Sequence, residues 1–473
     1  PSYEDILPNG CPTGNFYFVD QNNPNASDEN PGTEELPWET LEHAMQVAIA
    51  GDIILIKEGF FYRYTGSGEI PGFYPTHSGG PGKPIVFRAY PGADPIIASG
   101  PSLSTSPENF TNPAIGTRGN DWIVFDGLKV YGSIALRGLG NYGDITDATE
   151  YNVIQNCEVW EGYSGSPPEV HDNDDNIRLE RARYNIIRNN IIRDNKTHPT
   201  GNCSGIKMYW SDYNVIEHNH IYNIRTGIFS KCYNSYNTYR YNLIHDCDRG
   251  FGGNSSVNDG SYNEQFYQNI LYNCSHYSIE INYHAHDYKI YNNVMYNSSE
   301  YGFVVADEPF RTNSDFEYYN NIVMNCSAPW YAGTKAYKEI SELLALFNFS
   351  DHNCFYDYGR FMNAWAPVGD GSLNDWKNIT GLDQHSIESN PLFTNSTSHN
   401  FHLQPSSPCL NAGIDRQDYD NDGNATEPIN MGAYITGNET IGLIDLSQYI
   451  VCLLYTSDAA DELDGVDLGG RRI

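Results

Sequence analysis

The chain predicts an all-β fold, a right-handed parallel β-helix of stacked short coils with a capping helix near its N-terminus. Three observations carry this. The phrase "YN" followed by Asn after three to five residues recurs at 151, 184, 213, 236 and 262. Short strands of alternating apolar pattern precede most copies: "NIRLE" at 176, "GIKMY" at 205, "GIFSK" at 227, "GFGGN" at 250, "SIEIN" at 278 and "GFVVA" at 302. Their starts lie 29, 22, 23, 28 and 24 residues apart. Such a unit cannot bury its own apolar face, but stacked units can. A propeller blade would need about 40 to 50 residues, twice this spacing.

The elements follow in order. "PWETLEHAMQVAIAGDIILIKEG" reads as an amphipathic helix over 39–48 and then a strand, the helix covering the open end of the first coil. "GSIAL" at 132 starts the series of coils. The recurring asparagines suit a turn at a fixed place, because Asn tolerates left-handed backbone and its amides bond to the Asn above and below. Cys157, Cys247, Cys274 and Cys326 share one context ("QNC", "HDC", "YNC", "MNC") and read as buried small residues, not disulfides. "TKAYKEISELLALFNF" at 334–349 reads as a helix outside the coil. The β-helix is expected over 1–436, with a linker or further segment over 437–451. "CLLYTSDAADE" from Cys452 resembles a translated sequencing-adapter oligonucleotide, so 452–473 are read as an artefact and set aside.

Composition narrows function. The chain of 473 residues has 60 acidic and 27 basic residues, a net charge of −33. Phosphate backbones would be repelled, so nucleic acid is not an expected partner. No apolar run approaches the roughly 20 residues that span a bilayer. Asn-x-Ser/Thr sites are scattered from Asn25 to Asn438 and carry little weight in so Asn-rich a chain. A monomer in a secreted, extracellular or periplasmic setting is expected.

Strand alternation assigns inside and outside. Ile177, Leu179, Ile206, Met208 and Ile228 point in. One outward column then reads Ala135, Arg178, Lys207, Phe229, Gly252, Glu280, Val304. The other reads Arg137, Glu180, Tyr209, Lys231, Asn254, Asn282, with His284 just beyond. Scarce basic residues thus meet on adjacent rungs, within about 10 Å by rung spacing. Glycines 252 and 253 are expected to leave a groove beside them.

The segment "FYFVDQNNPNASDENPGTEELPWETLEHAMQVAIAGDIILIKEG", with "GGPGKPIVFRAYPGADPII" and the later "TGLDQHSIESNPLFTNSTSHNFHLQPSSPCLNAGIDRQDYDNDGNATEPINMGAY", resembles secreted carbohydrate-active β-helix proteins, many of them polysaccharide lyases. The resemblance covers roughly residues 15–435 and is specific for fold, much less so for activity. It implies a Lys or Arg base on the outward face, with no family motif matched residue by residue.

β-Elimination on a uronic acid polymer requires neutralising the carboxylate beside the reacting carbon, a base for the C5 proton, and an acid for the leaving oxygen. Arg178 is the candidate clamp, through its bidentate fork. Lys207 is the candidate base, with Lys231 able to exchange roles, and Tyr209 the acid. Arg137, Glu180, Phe229, Asn254, Glu280, Asn282 and His284 are candidates for substrate binding. Asp172, Asp174, Asp175 and Glu180 offer hard oxygens for Ca²⁺. A second calcium loop is suggested by "DYDNDG" at 418–423, although Ile429 stands where that loop needs Glu. The expected partner is an acidic polysaccharide. The competing readings are a glycoside hydrolase, with Glu280 paired to Asp307 or Glu308, and a non-catalytic sugar-binding surface protein displaying Tyr209 and Trp210. An unsaturated, ultraviolet-absorbing product separates lyase from hydrolase.

Overall fold

The computed structural model describes residues 15–63, 72–101, 113–140, 146–162, 174–195, 203–254, 260–306, 313–333, 340–364, 371–418, 423–425 and 427–444. The described chain falls into two compact units, one reaching to Val215 and one spanning Ile216–Gly442. Each is a run of coils of right-handed parallel β-helix, with three strand positions per coil.

In the first unit, one sheet runs through Phe16–Val19, Ile53–Ile56, Ile85–Ala89, Ile123–Asp126, Val153–Gln155 and Ile186–Arg188, all parallel. A second position holds Phe60–Tyr62, Ile96–Ala98, Lys129–Tyr131, Glu158–Trp160 and Ile191–Asn195. The third holds Ile115–Gly116, Ile134–Arg137, Asp175–Glu180 and Ser204–Tyr209. The pleat sends alternate side chains inward, so register stacks like on like. Ile54, Phe87, Phe125, Ile154 and Ile187 form one fully buried file, and Leu136, Leu179 and Met208 another. The pairing of Ile177 with Ile206 and Arg178 with Lys207 matches the register read from the sequence.

The second unit repeats the plan. Its first sheet runs through Thr238–Arg240, Gln265–Tyr267, Lys289–Tyr291, Phe316–Tyr319 and Phe347–Asp351. Its third position holds Thr226–Cys232, Arg249–Asn254 and Tyr277–Asn282, then the ends of the long Val294–Ala306 and Ile322–Gly333 strands.

Three α-helices occur among the described residues: Leu41–Val47, Ile340–Leu344 and Leu373–Thr380. The first is shorter than the 39–48 expected, because Thr40 caps it, its hydroxyl accepting from the His43 amide at 3.1 Å. Of the helix expected over 334–349, residues 334–339 lie outside the described residues, Ile340–Leu344 is helical, and Phe347 onward is strand. Residues 452–473 and most of "DYDNDG" also lie outside the described residues. Cys157, Cys247, Cys274 and Cys326 are buried free thiols, as expected. Burial pushes the Cys157 thiol up to about 12.

The asparagines form the expected ladders, and part of them in left-handed backbone: Asn156, Asn189, Asn273, Asn292, Asn297 and Asn320 have φ between 53° and 58°, with Asn189 Nδ2 donating to Asn156 Oδ1, Asn297 to Asn273 and Asn320 to Asn292. In the first sheet of the first unit the left-handed residue is instead aromatic: Trp122, Tyr151, Tyr184 and Tyr213 all have φ between 55° and 58°. Their rings stack at 4.5, 5.2 and 5.1 Å. Each stack is worth about 0.5–1.5 kcal/mol, comparable with the ~1–2 kcal/mol cost of left-handed backbone. The following asparagines turn inward. Asn152, Asn185 and Asn214 are fully buried, with Asn152 Nδ2 donating to Asn185 Oδ1 and Asn185 Nδ2 to Asn214 Oδ1, both at 3.0 Å. In the second unit the ladder is Asn219, Asn242, Asn269, Asn293, Asn321 and Asn353.

Asn269 accepts from the Asn242 amide and donates to the carbonyls of Tyr239 and Tyr267. Asn269→Ala strands these buried groups, so it is expected to lower unfolding stability by ~2 kcal/mol or more, read by urea denaturation.

Candidate functional site

The third strand position of the first unit carries the cluster. Asp175 opens its strand and Arg178 follows on the same strand. Ser204 and Lys207 are their register partners one rung on. Asp175 is fully buried and binds on both oxygens. Lys207 Nζ lies 2.8 Å from Oδ1, and the Ser204 hydroxyl donates to the same oxygen at 2.9 Å. Arg178 Nη2 and Nε donate to Oδ2 at 2.6 and 2.9 Å. One carboxylate therefore holds two cations. Burial works against the Arg178 charge, but Asp175, Tyr209 and Glu180 outweigh it and raise its pKa. Its guanidinium also lies over the Tyr209 ring, 5.5 Å from the centroid.

A second carboxylate is similarly surrounded. Glu180 Oε2 lies 3.0 Å from Arg137 and 3.9 Å from Arg178, and Oε1 lies 2.9 Å from Arg181. Arg181 escaped the sequence reading because it sits outside the strand alternation, in left-handed backbone at φ 52°. The cluster thus holds four basic groups, Arg137, Arg178, Arg181 and Lys207, around Asp175 and Glu180.

Three expectations need correction. Lys207 faces outward in register, yet its exposure is 0%, so it is not an open groove residue. The Ser204–Tyr209 strand is covered along its whole length. The segments 163–173 and 196–202, which lead into the two site strands, lie outside the described residues. Tyr209 and Trp210 are buried too, which removes them as displayed sugar-binding aromatics. Finally, the calcium set does not fit. Asp172 lies outside the described residues. Asp175 and Glu180 are already neutralised by cations within 3 Å, whereas Ca²⁺ needs six to eight oxygens and would be repelled by those cations.

In the second unit, Phe229 is 2% exposed, because it packs over Gly252, its register partner. A Cβ on Gly252 would lie 3.1 Å from that ring. Phe229 thus fills the groove the glycines were expected to leave, and Gly253 faces the Tyr288 hydroxyl instead. Lys231 is half-buried, its ammonium 5.8 Å from the Phe229 ring centroid. Glu280 pairs with Arg249 at 3.1 Å. Asn282 is buried and pairs in register with Asn254, whose side chain is outside the described set. His284 is half-buried with φ 56°. Asp307 and Glu308, the carboxylates proposed to pair with Glu280, lie outside the described residues.

Two titratable groupings went unread in the sequence. Glu264 is fully buried inside the second unit, where it accepts from Tyr239 (2.5 Å), Asn237 (2.8 Å) and Ser230 (3.1 Å). Burial pushes its carboxyl up to about 7. Asp351, His352 and His385 meet near the last coils of that unit.

The fold and this geometry define a parallel β-helix with a cationic cluster on one outward strand position. Comparison agrees on the fold. The family model described as "Right handed beta helix region" matches residues 113–294. The solved structure of pectate lyase Pel9A is similar over 90% of this chain and 97% of that chain, with a TM-score of 0.56 and 14% identity. XylC, solved with xylose, is similar over 74% of this chain and 86% of that one, with a TM-score of 0.50 and 12% identity. Among curated proteins, the uncharacterized protein YwoF of Bacillus subtilis (strain 168) is 32% identical over 128 residues. That stretch is 27% of this chain and spans only 24% of YwoF. Among the described residues no helix is long and apolar enough to cross a membrane.

Proposed function

We propose that the protein is a polysaccharide lyase that cleaves a uronic-acid-containing polymer by β-elimination. The observation that carries this is the Arg178–Asp175–Lys207 cluster. Two cations share one buried carboxylate on adjacent rungs, in a chain whose net charge is −33. Pel9A, a pectate lyase by its name, shares the fold and supports the substrate class.

In this reading Arg178 neutralises the substrate carboxylate and so lowers the barrier to removing the C5 proton. Arg137 and Arg181, arrayed on Glu180, extend the cationic surface for neighbouring uronates. Lys207 accepts the C5 proton. The Lys207 ammonium must first pass a proton to the Asp175 carboxylate it contacts, leaving a neutral amine, and substrate binding must expose it. Tyr209, beside Arg178, protonates the leaving oxygen in this scheme. The reaction balances without a cofactor: C5–H and the C4–O bond break, a C4=C5 double bond forms, and the leaving oxygen takes a proton. No calcium is assigned a step.

The test is to incubate the protein with polygalacturonate, alginate and glucuronan and follow ultraviolet absorbance of the unsaturated product. Absorbance rising on one of these polymers is expected. Reducing ends appearing without absorbance would overturn the lyase in favour of a hydrolase. Binding without cleavage would favour the non-catalytic reading.

A further inference from the structure

We propose that His352 and His385 form a binding site for a divalent first-row transition metal, Zn²⁺ or Cu²⁺, on the second unit, with Asp351 as its positioning residue. The argument starts from the backbone. His352 follows the Phe347–Asp351 strand and takes the left-handed slot of its coil, with φ 54°. Asn292 and Asn320 hold that slot on earlier coils, at φ 53° and 56°. His385 arrives from the turn after the Leu373–Thr380 helix. Lys377 on that helix pins the turn from both sides, donating to the carbonyls of Gln384 and Ser386 at 3.3 and 2.6 Å.

Asp351 then draws the two histidines together. Its Oδ1 accepts the backbone amides of His352 and His385 at 2.8 and 2.7 Å. Its Oδ2 lies 2.7 Å from His385 Nδ1. The same contacts hold the Asp351 carboxyl below its ordinary range, against a burial effect that would raise it. The two imidazole rings stack, with centroids 5.0 Å apart and planes 15° apart.

The hydrogen bonds settle which nitrogen can ligate. His385 Nδ1 faces a carboxylate and His352 Nδ1 faces the Ala412 carbonyl at 2.9 Å. Both acceptors require Nδ1 to carry the proton in a neutral ring. Both Nε2 atoms are therefore left as lone-pair donors, and neither has a hydrogen-bond partner among the described residues. A histidine whose other ring N–H is held by a carboxylate or carbonyl is the arrangement that orients imidazole toward a metal and raises its basicity.

One nitrogen or oxygen donor from each of the three residues lies within 4.8 Å of the other two. Two nitrogens bound to one ion at about 2.0–2.1 Å each can be no more than about 4 Å apart. The His385 side chain is 69% exposed, so its ring is free to turn about the Nδ1–Asp351 contact and bring Nε2 toward that of His352. Two imidazoles select Zn²⁺ or Cu²⁺ and disfavour Ca²⁺ and Mg²⁺, which require hard oxygen ligands. The site is independent of the lyase reading, which involves residues of the first unit.

The test titrates the full chain with Cu²⁺ and with Zn²⁺ by calorimetry, and records the Cu²⁺ electron paramagnetic resonance spectrum. One ion is expected with two nitrogen couplings. His385→Ala should weaken binding at least tenfold while leaving the metal-free melting temperature unchanged, since the ring is exposed. Asp351→Asn should weaken it by about 10- to 100-fold with both nitrogen couplings retained, as expected of a group that orients ligands. Equal affinity in wild type and His385→Ala, or a spectrum with fewer than two nitrogens, would overturn the site.

Discussion

Lys207→Ala is expected to cost the protein both stability and activity. The ammonium is fully buried and lies 2.8 Å from Asp175, itself fully buried. Removing it leaves Asp175 with Arg178 as its remaining cationic partner and opens a void around a desolvated carboxylate. Breaking a buried pair in this way costs about 3–5 kcal/mol. If Lys207 is also the proton acceptor, turnover falls by about 10²–10⁴. The two losses must be separated, because an unfolded variant is inactive for a trivial reason. Asp175→Asn combined with Lys207→Met removes both charges and keeps similar volumes. Replacing a whole buried pair is often neutral for stability, so this variant is expected to fold. In it the Ser204 hydroxyl can still donate to the side-chain amide oxygen that replaces the carboxylate, while Arg178 keeps Glu180, at 3.9 Å, as its remaining anionic partner. Denaturant unfolding alongside the absorbance assay reads both effects.

The second large effect is a pH dependence centred on Glu264. This carboxyl occupies a ladder position inside the second unit and titrates near 7 in the folded protein, against 4.5 as its ordinary value, because it is buried. Between those two values the folded state binds more protons than the unfolded state. Unfolding free energy therefore falls as pH rises through this window. Below about 4.5 the penalty is absent, and above about 7 it is complete. The span corresponds to on the order of 3 kcal/mol. Glu264→Gln cannot ionise. The stability difference between variant and wild type should therefore shift in favour of the variant by about that amount from about pH 4.5 to above pH 7. Denaturant unfolding at several pH values measures it, and a constant difference would show that Glu264 is not the cause.

Much of this architecture was readable in the residues because a β-helix repeats its instructions. The apolar alternation in "NIRLE" and "GIKMY" is enough to set register, and Ile177 does pair with Ile206. What alternation cannot encode is whether an outward side chain reaches water. Lys207 and Phe229 both face outward and both are buried. The reason for Phe229 is local, since its ring fills the space above Gly252. The pairing of Lys207 with Asp175 was hidden for another reason. In the sequence Asp175 stands as a candidate calcium ligand, but it is the first residue of the strand and lies one rung from Ser204. Glu264 does carry a signal in the sequence. In "YNEQFYQN" the phrase has slipped by one residue. Asn263 takes the left-handed slot that Tyr holds elsewhere, and Glu264 falls where the ladder asparagine belongs. His352 and His385 share no motif in the sequence, and only the closing turn brings them together.

The central claim is that Lys207, held with Arg178 on Asp175, performs β-elimination on a uronic acid polymer. The most direct measurement is the rate of unsaturated-product formation by wild type and by the Asp175→Asn, Lys207→Met variant, each confirmed as folded, on whichever polymer the wild type cleaves. The account predicts robust product formation by the wild type and loss of at least about a hundredfold in the variant. A folded variant that cleaves at the wild-type rate would contradict it.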